Sequence, residues 1–198
     1  MPVTFSITST TSTATTPTPT ATPYVGPDGL AVETGKFLGP TTSTRLGAIV
    51  RGIQCQPLAQ LAYTAYAHLQ VYVDGSSRAL PGGIGMVTAS PRATAHGFLF
   101  AATDCTYWLH TRAADGLIEV QSPVPRRFTL GDLFRIWNQP LGPKQVAANR
   151  GPVTAIVDGS TWRRSPAAIP LREHTEIELA VGTPVPKQQR TDWIASGL

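Results

Sequence analysis

The chain has 198 residues, a length that suits one ordinary domain with tails, and 41% of them are hydrophobic, enough to bury a real core. Only 14% are charged, against about 25% in typical soluble chains, and Gly and Pro number 18 each, which favours strands and turns over long helices. The net charge of +4 is scattered, with its densest groups at Arg126-Arg127, Arg163-Arg164 and Lys187/Arg190; with no basic stripe interleaved with aromatics, no nucleic acid is expected as a partner.

Residues 1–43 read as a Ser/Thr/Pro-rich disordered tether. The first 27 carry no charged side chain and hold Thr-Pro-Thr-Pro-Thr-Ala-Thr-Pro, too little apolar surface to offset the entropy of ordering it. Such tracts commonly hold exported domains away from a surface. The N-terminus shows no basic segment followed by an apolar one, so a signal peptide is not visible, and a leader already removed is the expectation. No apolar run reaches the ~20 residues that span a membrane, so no transmembrane segment is expected.

A single globular α+β domain is expected over residues 44–182. Pro57 to Leu61 fits one helical turn with Pro at its start. Tyr63 to Val73 alternates strictly, with Tyr63, Ala65, Ala67, Leu69, Val71 and Val73 on one face and Thr64, Tyr66, His68, Gln70 and Tyr72 on the other, which predicts a strand. Asp74-Gly75 turns it into Arg78-Ala79-Leu80. Met86 to Gly97 reads as a loop and Phe98 to Ala101 as a short strand.

Cys105 to Ser122 reads as two strands joined by a turn at Ala114-Asp115-Gly116, since Asp-Gly supplies the positive φ of tight hairpins. Thr106, Trp108, His110 and Arg112 then share one face, which is polar and titratable. Thr129 is a good N-cap, with Asp132 at N3 in a capping-box arrangement. Leu130, Leu133, Phe134 and Trp137 form the apolar stripe of a short helix that Pro140 ends. Val153 to Gly159 echoes Leu69 to Gly75, each a strand running into Asp-Gly. Thr175 to Val181 closes the domain, and residues 183–198 read as a mobile tail. Hairpins, one main short helix and another strand pair make an α+β pattern, a β-rich mixed or antiparallel sheet covered by a helix.

Cys55 and Cys105 lack the CxxC spacing of a zinc knuckle or redox motif. A long-range disulfide is the natural reading, contributing about 2–4 kcal/mol and implying an oxidising compartment; two buried free thiols are the alternative. No Gly-x-Ser-x-Gly occurs and a disulfide would consume both thiols, so the chain leans away from an enzyme. His68, His110 and Glu119 form a candidate metal set, two imidazoles and a carboxylate being an accepted zinc donor set.

Two resemblances add to this reading. The final unit, Val153 to Gly159 and Ile169 to Leu179, resembles the end of ubiquitin-like β-grasp domains. Cys55, Gln60-Leu61-Ala62-Tyr63, His68-Leu69, Cys105-Thr106-Tyr107-Trp108-Leu109-His110-Thr111, Phe128-Thr129-Leu130-Gly131 and Ile169-Pro170-Leu171 resemble an uncharacterised family of bacterial exported proteins. The resemblance implies export, and imidazoles at the positions of Thr64, Tyr66, Arg112 and Glu119, which would make a zinc or copper site. Here Arg112 and Glu119 are expected to pair across the hairpin instead, as an exposed pair contributing about 0–1 kcal/mol. The functional expectation is an extracytoplasmic, secreted or envelope-tethered, non-enzymatic interaction module without cofactor. Its partner would be another protein or a cell-envelope component. A metal-binding protein using His68 and His110 is the alternative.

Overall fold

The structure, a computed structural model, describes residues 1, 24–57 and 61–198. Most of the Ser/Thr/Pro tract and the turn expected around Leu58 to Gln60 lie outside the described residues. The elements that position the site are β1 (Lys36–Phe37), β2 (Tyr63–Val73), β3 (Ser76–Ala79), β4 (Ala89–Thr94), β5 (Gly97–Ala102), β6 (Leu109–His110), β7 (Leu117–Ser122), α1 (Leu130–Ile136), β8 (Val153–Val157), β9 (Ser160–Thr161), β10 (Thr175–Val181) and α2 (Trp193–Ser196). The architecture is strand-rich α+β with one main short helix.

β2 organises the main sheet, whose path runs β1-β3-β2-β10-β8-β9 with β7 and then β6 joining beside β2. One edge of β2 pairs with β10 in parallel, Thr175 opposite Ala67 through Val181 opposite Val73. The other edge pairs antiparallel with β7 along Tyr63 to His68 and with β3 along Val71 to Val73. The alternation read from the sequence decides its faces: Ala65, Ala67, Leu69 and Val71 are buried in the core, while Thr64, Tyr66, Gln70 and Tyr72 stay at least partly exposed. The two echoing segments lie on either side of β10, and both turns place Asp and Gly at positive φ, Asp74 at 49° with Gly75 at 75°, and Asp158 at 51° with Gly159 at 80°. That is the primed hairpin geometry that Asp-Gly favours.

α1 begins as read: Thr129 and Asp132 exchange both capping-box interactions. Leu130, Leu133, Phe134 and Trp137 join Leu69, Ile118, Val120 and Leu179 in one buried cluster, so the helix covers the apolar face of the sheet and leaves the His68 face to other segments. Cys55 and Cys105 are bonded, with Cα atoms 5.4 Å apart, across short paired strands that set Cys55 opposite Tyr107. No helix among the described residues is long and apolar enough to cross a membrane.

Three segments of the chain before the C-terminal tail differ from expectation. The region expected as a loop to Gly97 contains β4, which pairs with β5 from Ala89 opposite Ala102 to Thr94 opposite Gly97; β4 is mostly exposed and so carries no burial alternation to read. The focal hairpin is shorter and wider than expected: β6 holds only Leu109 and His110, opposite Val120 and Glu119, and residues 111–116 form an irregular connection in which Asp115 is buried. Residues 24–43, expected within the tether, pack on the domain: β1 pairs in parallel with β3, and Leu30 and Leu38 are 4% and 2% exposed. Their apolar residues are too few to show a period, yet Leu30 and Leu38 are buried against the domain.

Burying a leucine side chain stabilises by about 1.5–3 kcal/mol. A chain starting at Thr44 should therefore lose at least ~3 kcal/mol relative to one starting at Tyr24, read as a lower denaturant midpoint. Equal midpoints would show that residues 24–43 do not support the fold.

Candidate functional site: a closed face of imidazoles and carboxyls

The register of β6, β7 and β2 puts the singled-out residues on one face. Glu119 stands opposite Tyr66 on β2 and opposite His110 on β6, Thr64 stands opposite Gln121, and His68 stands opposite Leu117. Paired residues share a face, as do residues two apart on one strand, so Thr64, Tyr66, His68, His110 and Glu119 share one face here.

Glu119 is the centre of that convergence and is only 3% exposed. Its Oε1 lies 3.7 Å from Arg112 Nε and its Oε2 lies 3.6 Å from His110 Nε2. Gln121 Nε2 donates to Oε2 at 3.0 Å. Arg112 thus meets Glu119 as expected, but the pair is not an exposed one: the carboxylate is withdrawn from water while the guanidinium reaches out to it. His110 is oriented by its Nδ1–H, which donates to Tyr107 O at 3.1 Å and turns Nε2 toward Glu119.

Beside this group lie carboxyls that the sequence reading did not single out. Asp115 is fully buried; its Oδ1 accepts from Leu117 N–H at 3.1 Å. Asp28 Oδ2 and Asp115 Oδ2 are buried with no hydrogen-bond partner among the described residues, which favours the uncharged form of each carboxyl. Burial, then the nearby Asp28 charge, pushes Asp115 up to about 7. Asp28 is raised by burial and then by Glu119. Glu33 accepts from Leu80 N–H at 2.6 Å, and burial, with a smaller push from Asp115, brings it up to about 8.

His68 does not join Glu119. Its Nε2–H donates to Asp115 O at 2.8 Å, and burial lowers its pKa, so it is neutral and bound to the backbone of the connection. Gly116 is required beside it, since a Cβ there would lie 2.7 Å from His68 Nε2 and from Leu69 O.

The C-terminal segment covers His68. Residues 183–198, expected to trail free, dock through Thr191 N–H on Glu176 Oε1 at 2.8 Å and Gln188 on Gly159 N–H at 2.7 Å. Trp193 then stacks on His174 at 4.6 Å between ring centroids and sets an edge against His68 at 6.5 Å. One buried carboxyl on β10 and one indole thus hold a segment whose polar sequence gave no sign of docking. Among the described residues, no group of three or more His, Cys, Asp or Glu side chains is arranged to hold a metal ion.

Adjoining this closed face is an open cavity of about 390 Å³, reached past Pro27, Val32 and Ala114 and walled by Tyr24, Phe37 and Phe98. Those three aromatic side chains are 54%, 64% and 59% exposed. Phe98 lies on β5, which reads from the sequence as a short strand, but its partner β4 reads as a loop and Tyr24 and Phe37 fall in the expected tether, so nothing in the sequence brings the three together. In comparisons with known proteins, the chain matches no family model, no curated protein and no solved structure.

The raised carboxyls set a pH dependence. Glu33 and Asp115 keep protons in the folded chain that the unfolded chain releases near the ordinary carboxyl range, so the folded chain binds more protons between that range and about pH 8. Their contribution to stability is fully present below the ordinary range and is lost as pH rises through about 7 and about 8. The melting temperature should fall from mildly acidic to mildly alkaline pH, and Glu33→Gln, which keeps an acceptor for Leu80 N–H, should flatten the decline. A level profile in the unmodified chain would show that neither carboxyl is held neutral.

Proposed function

We propose that the chain is a non-enzymatic extracytoplasmic binding module, built on a β-grasp core, in which charged side chains replace an ancestral imidazole site and the adjoining aromatic cavity takes the ligand. The β-grasp reading is supported by the strand order β3-β2-β10-β8-β9, with the first and last major strands parallel at its centre and the helix between the two hairpins. The Cys55–Cys105 bond supports an oxidising compartment. The family resemblance supports export on the same side.

The observation that carries the functional reading is the contrast between the two neighbouring features. On the titratable face Trp193 lies against His68, and Arg112 sits beside Glu119, where its positive charge opposes the entry of a second cation. The cavity beside it stays open and leaves large aromatic surfaces in water, which a monomeric fold gains nothing from exposing. Its volume of about 390 Å³ falls within the range of small-ligand sites. Tyr24, Phe37 and Phe98 offer flat apolar walls, and His96 at the rim adds a polar contact, so the fitting ligand is a flat, mainly apolar group such as an aromatic ring or a proline side chain of a partner.

An apolar naphthalene sulfonate dye should bind this cavity stoichiometrically. The Phe37→Ala and Phe98→Ala double variant should weaken binding by about tenfold or more, roughly 1.4 kcal/mol, without lowering the melting temperature, since both rings are exposed. Undiminished dye binding by a folded double variant would remove the cavity from the function.

A further inference from the structure

A second cleft, built from different parts of the chain, carries the opposite chemistry. Arg51, Arg126, Arg127 and Arg135 line a cleft of about 350 Å³ in which Asp132 is the one acidic side chain. The four arginines come from the turn after Val50, the loop into α1 and the last turn of α1, and a scattered distribution in sequence becomes a concentrated one in space.

The carboxylate does not neutralise them. Asp132 Oδ2 is committed to the helix cap, accepting from Thr129 N–H and from Thr129 Oγ1, each at 3.0 Å. Its Oδ1 reaches Arg135 Nη1 at 3.5 Å and Arg51 Nε at 3.8 Å, both long contacts with half-exposed or exposed partners. Arg126 is held in place by stacking over the Phe128 ring, 5.1 Å from its centroid, and by donating to Arg51 O at 3.4 Å. Arg127 is exposed and makes no ion pair among the described residues. The cleft therefore holds four guanidinium groups against one carboxylate whose stronger hydrogen bonds are spent elsewhere.

We propose that this cleft is a binding site for a phosphate-bearing anion. A guanidinium presents parallel N–H donors that match phosphate oxygens in pairs, and it does not lose its charge. A phosphate group carries up to two charges on oxygens that face several directions, so one group serves two or more guanidinium groups at once with more charge than a carboxylate brings. The cleft is wide enough for linked phosphates or for a phosphate on a small headgroup. Ser165, on its far wall, adds a hydroxyl.

Titration calorimetry with inorganic tripolyphosphate tests the site on the full chain. The unmodified chain should bind at one site per chain, with affinity falling as salt is raised. Arg127→Ala should weaken binding about tenfold, as the loss of one charge-assisted contact requires, and Arg127→Lys should restore only part of it. Arg163→Ala with Arg164→Ala, which removes two charges from residues that do not line the cleft, should leave binding intact. Co-sedimentation with vesicles of equimolar phosphatidylcholine and phosphatidylglycerol distinguishes the source: sedimentation lost in Arg127→Ala identifies a lipid headgroup, and its absence alongside tripolyphosphate binding identifies a soluble phosphate. Arg127 is exposed, so its variants fold and a negative result is informative. Equal affinity in the Arg127 and Arg163/Arg164 variants, absence of tripolyphosphate binding, or tighter binding of polyglutamate than of tripolyphosphate would overturn the proposal.

Discussion

The constraint that shapes this protein is the removal of carboxyl groups from water on one face of β2 and β7. An isolated buried carboxylate costs several kcal/mol, so each one here demands an answer, and the answers differ. Glu119 is met by Arg112, His110 and Gln121. Asp115 is pushed up to about 7 by burial and by the nearby Asp28, and Glu33 is pushed toward its neutral form while accepting from Leu80 N–H. These answers recruit segments far apart in sequence: Asp28 and Glu33 bring in the N-terminal segment, Asp115 brings in the connection after β6, and Glu176 anchors the C-terminal segment.

The same constraint separates two kinds of surface. The face that carries imidazole and carboxyl groups is closed at its centre, since Arg112, His110 and Gln121 surround Glu119 and Trp193 sets an edge against His68. The surfaces left for partners are those the compensation does not reach: the aromatic cavity beside the N-terminal segment and the arginine cleft around Asp132. One is apolar and one is cationic, which gives the protein two chemically distinct ways to engage its surroundings.

What the sequence made legible follows from how locally each feature is encoded. The period of two in Tyr63 to Val73, the capping box at Thr129 and Asp132, and the Asp-Gly turns are short-range signals, and each corresponds to an observed element. Cys55 and Cys105 were readable as a pair because no competing thiol exists. The meeting of Arg112 with Glu119 was also legible, because it needed only a hairpin. Its burial was not, because the cover comes from segments with no periodic signal. Asp28 and Glu33 looked like ordinary loop acids, and Trp193 like part of a polar tail; their positions are fixed by contacts across most of the chain. Likewise the four cleft arginines are dispersed in sequence, and only the packing of α1 against the turn at Arg51 gathers them.

The central claim is that fixed charge has replaced metal on the β2–β7 face. Arg112 stands 3.7 Å from the carboxylate that a cation would need, and Thr64, Tyr66, Arg112 and Glu119 are the positions where imidazoles would complete a donor set with His68 and His110. Zinc and copper affinities should be measured side by side for the unmodified chain and for a variant carrying Thr64→His, Tyr66→His, Arg112→His and Glu119→His. The account predicts tight, stoichiometric binding by the folded variant and weak or no binding by the unmodified chain. Binding by the unmodified chain as tight as that of the variant, lost when His68 and His110 are both replaced, would contradict it.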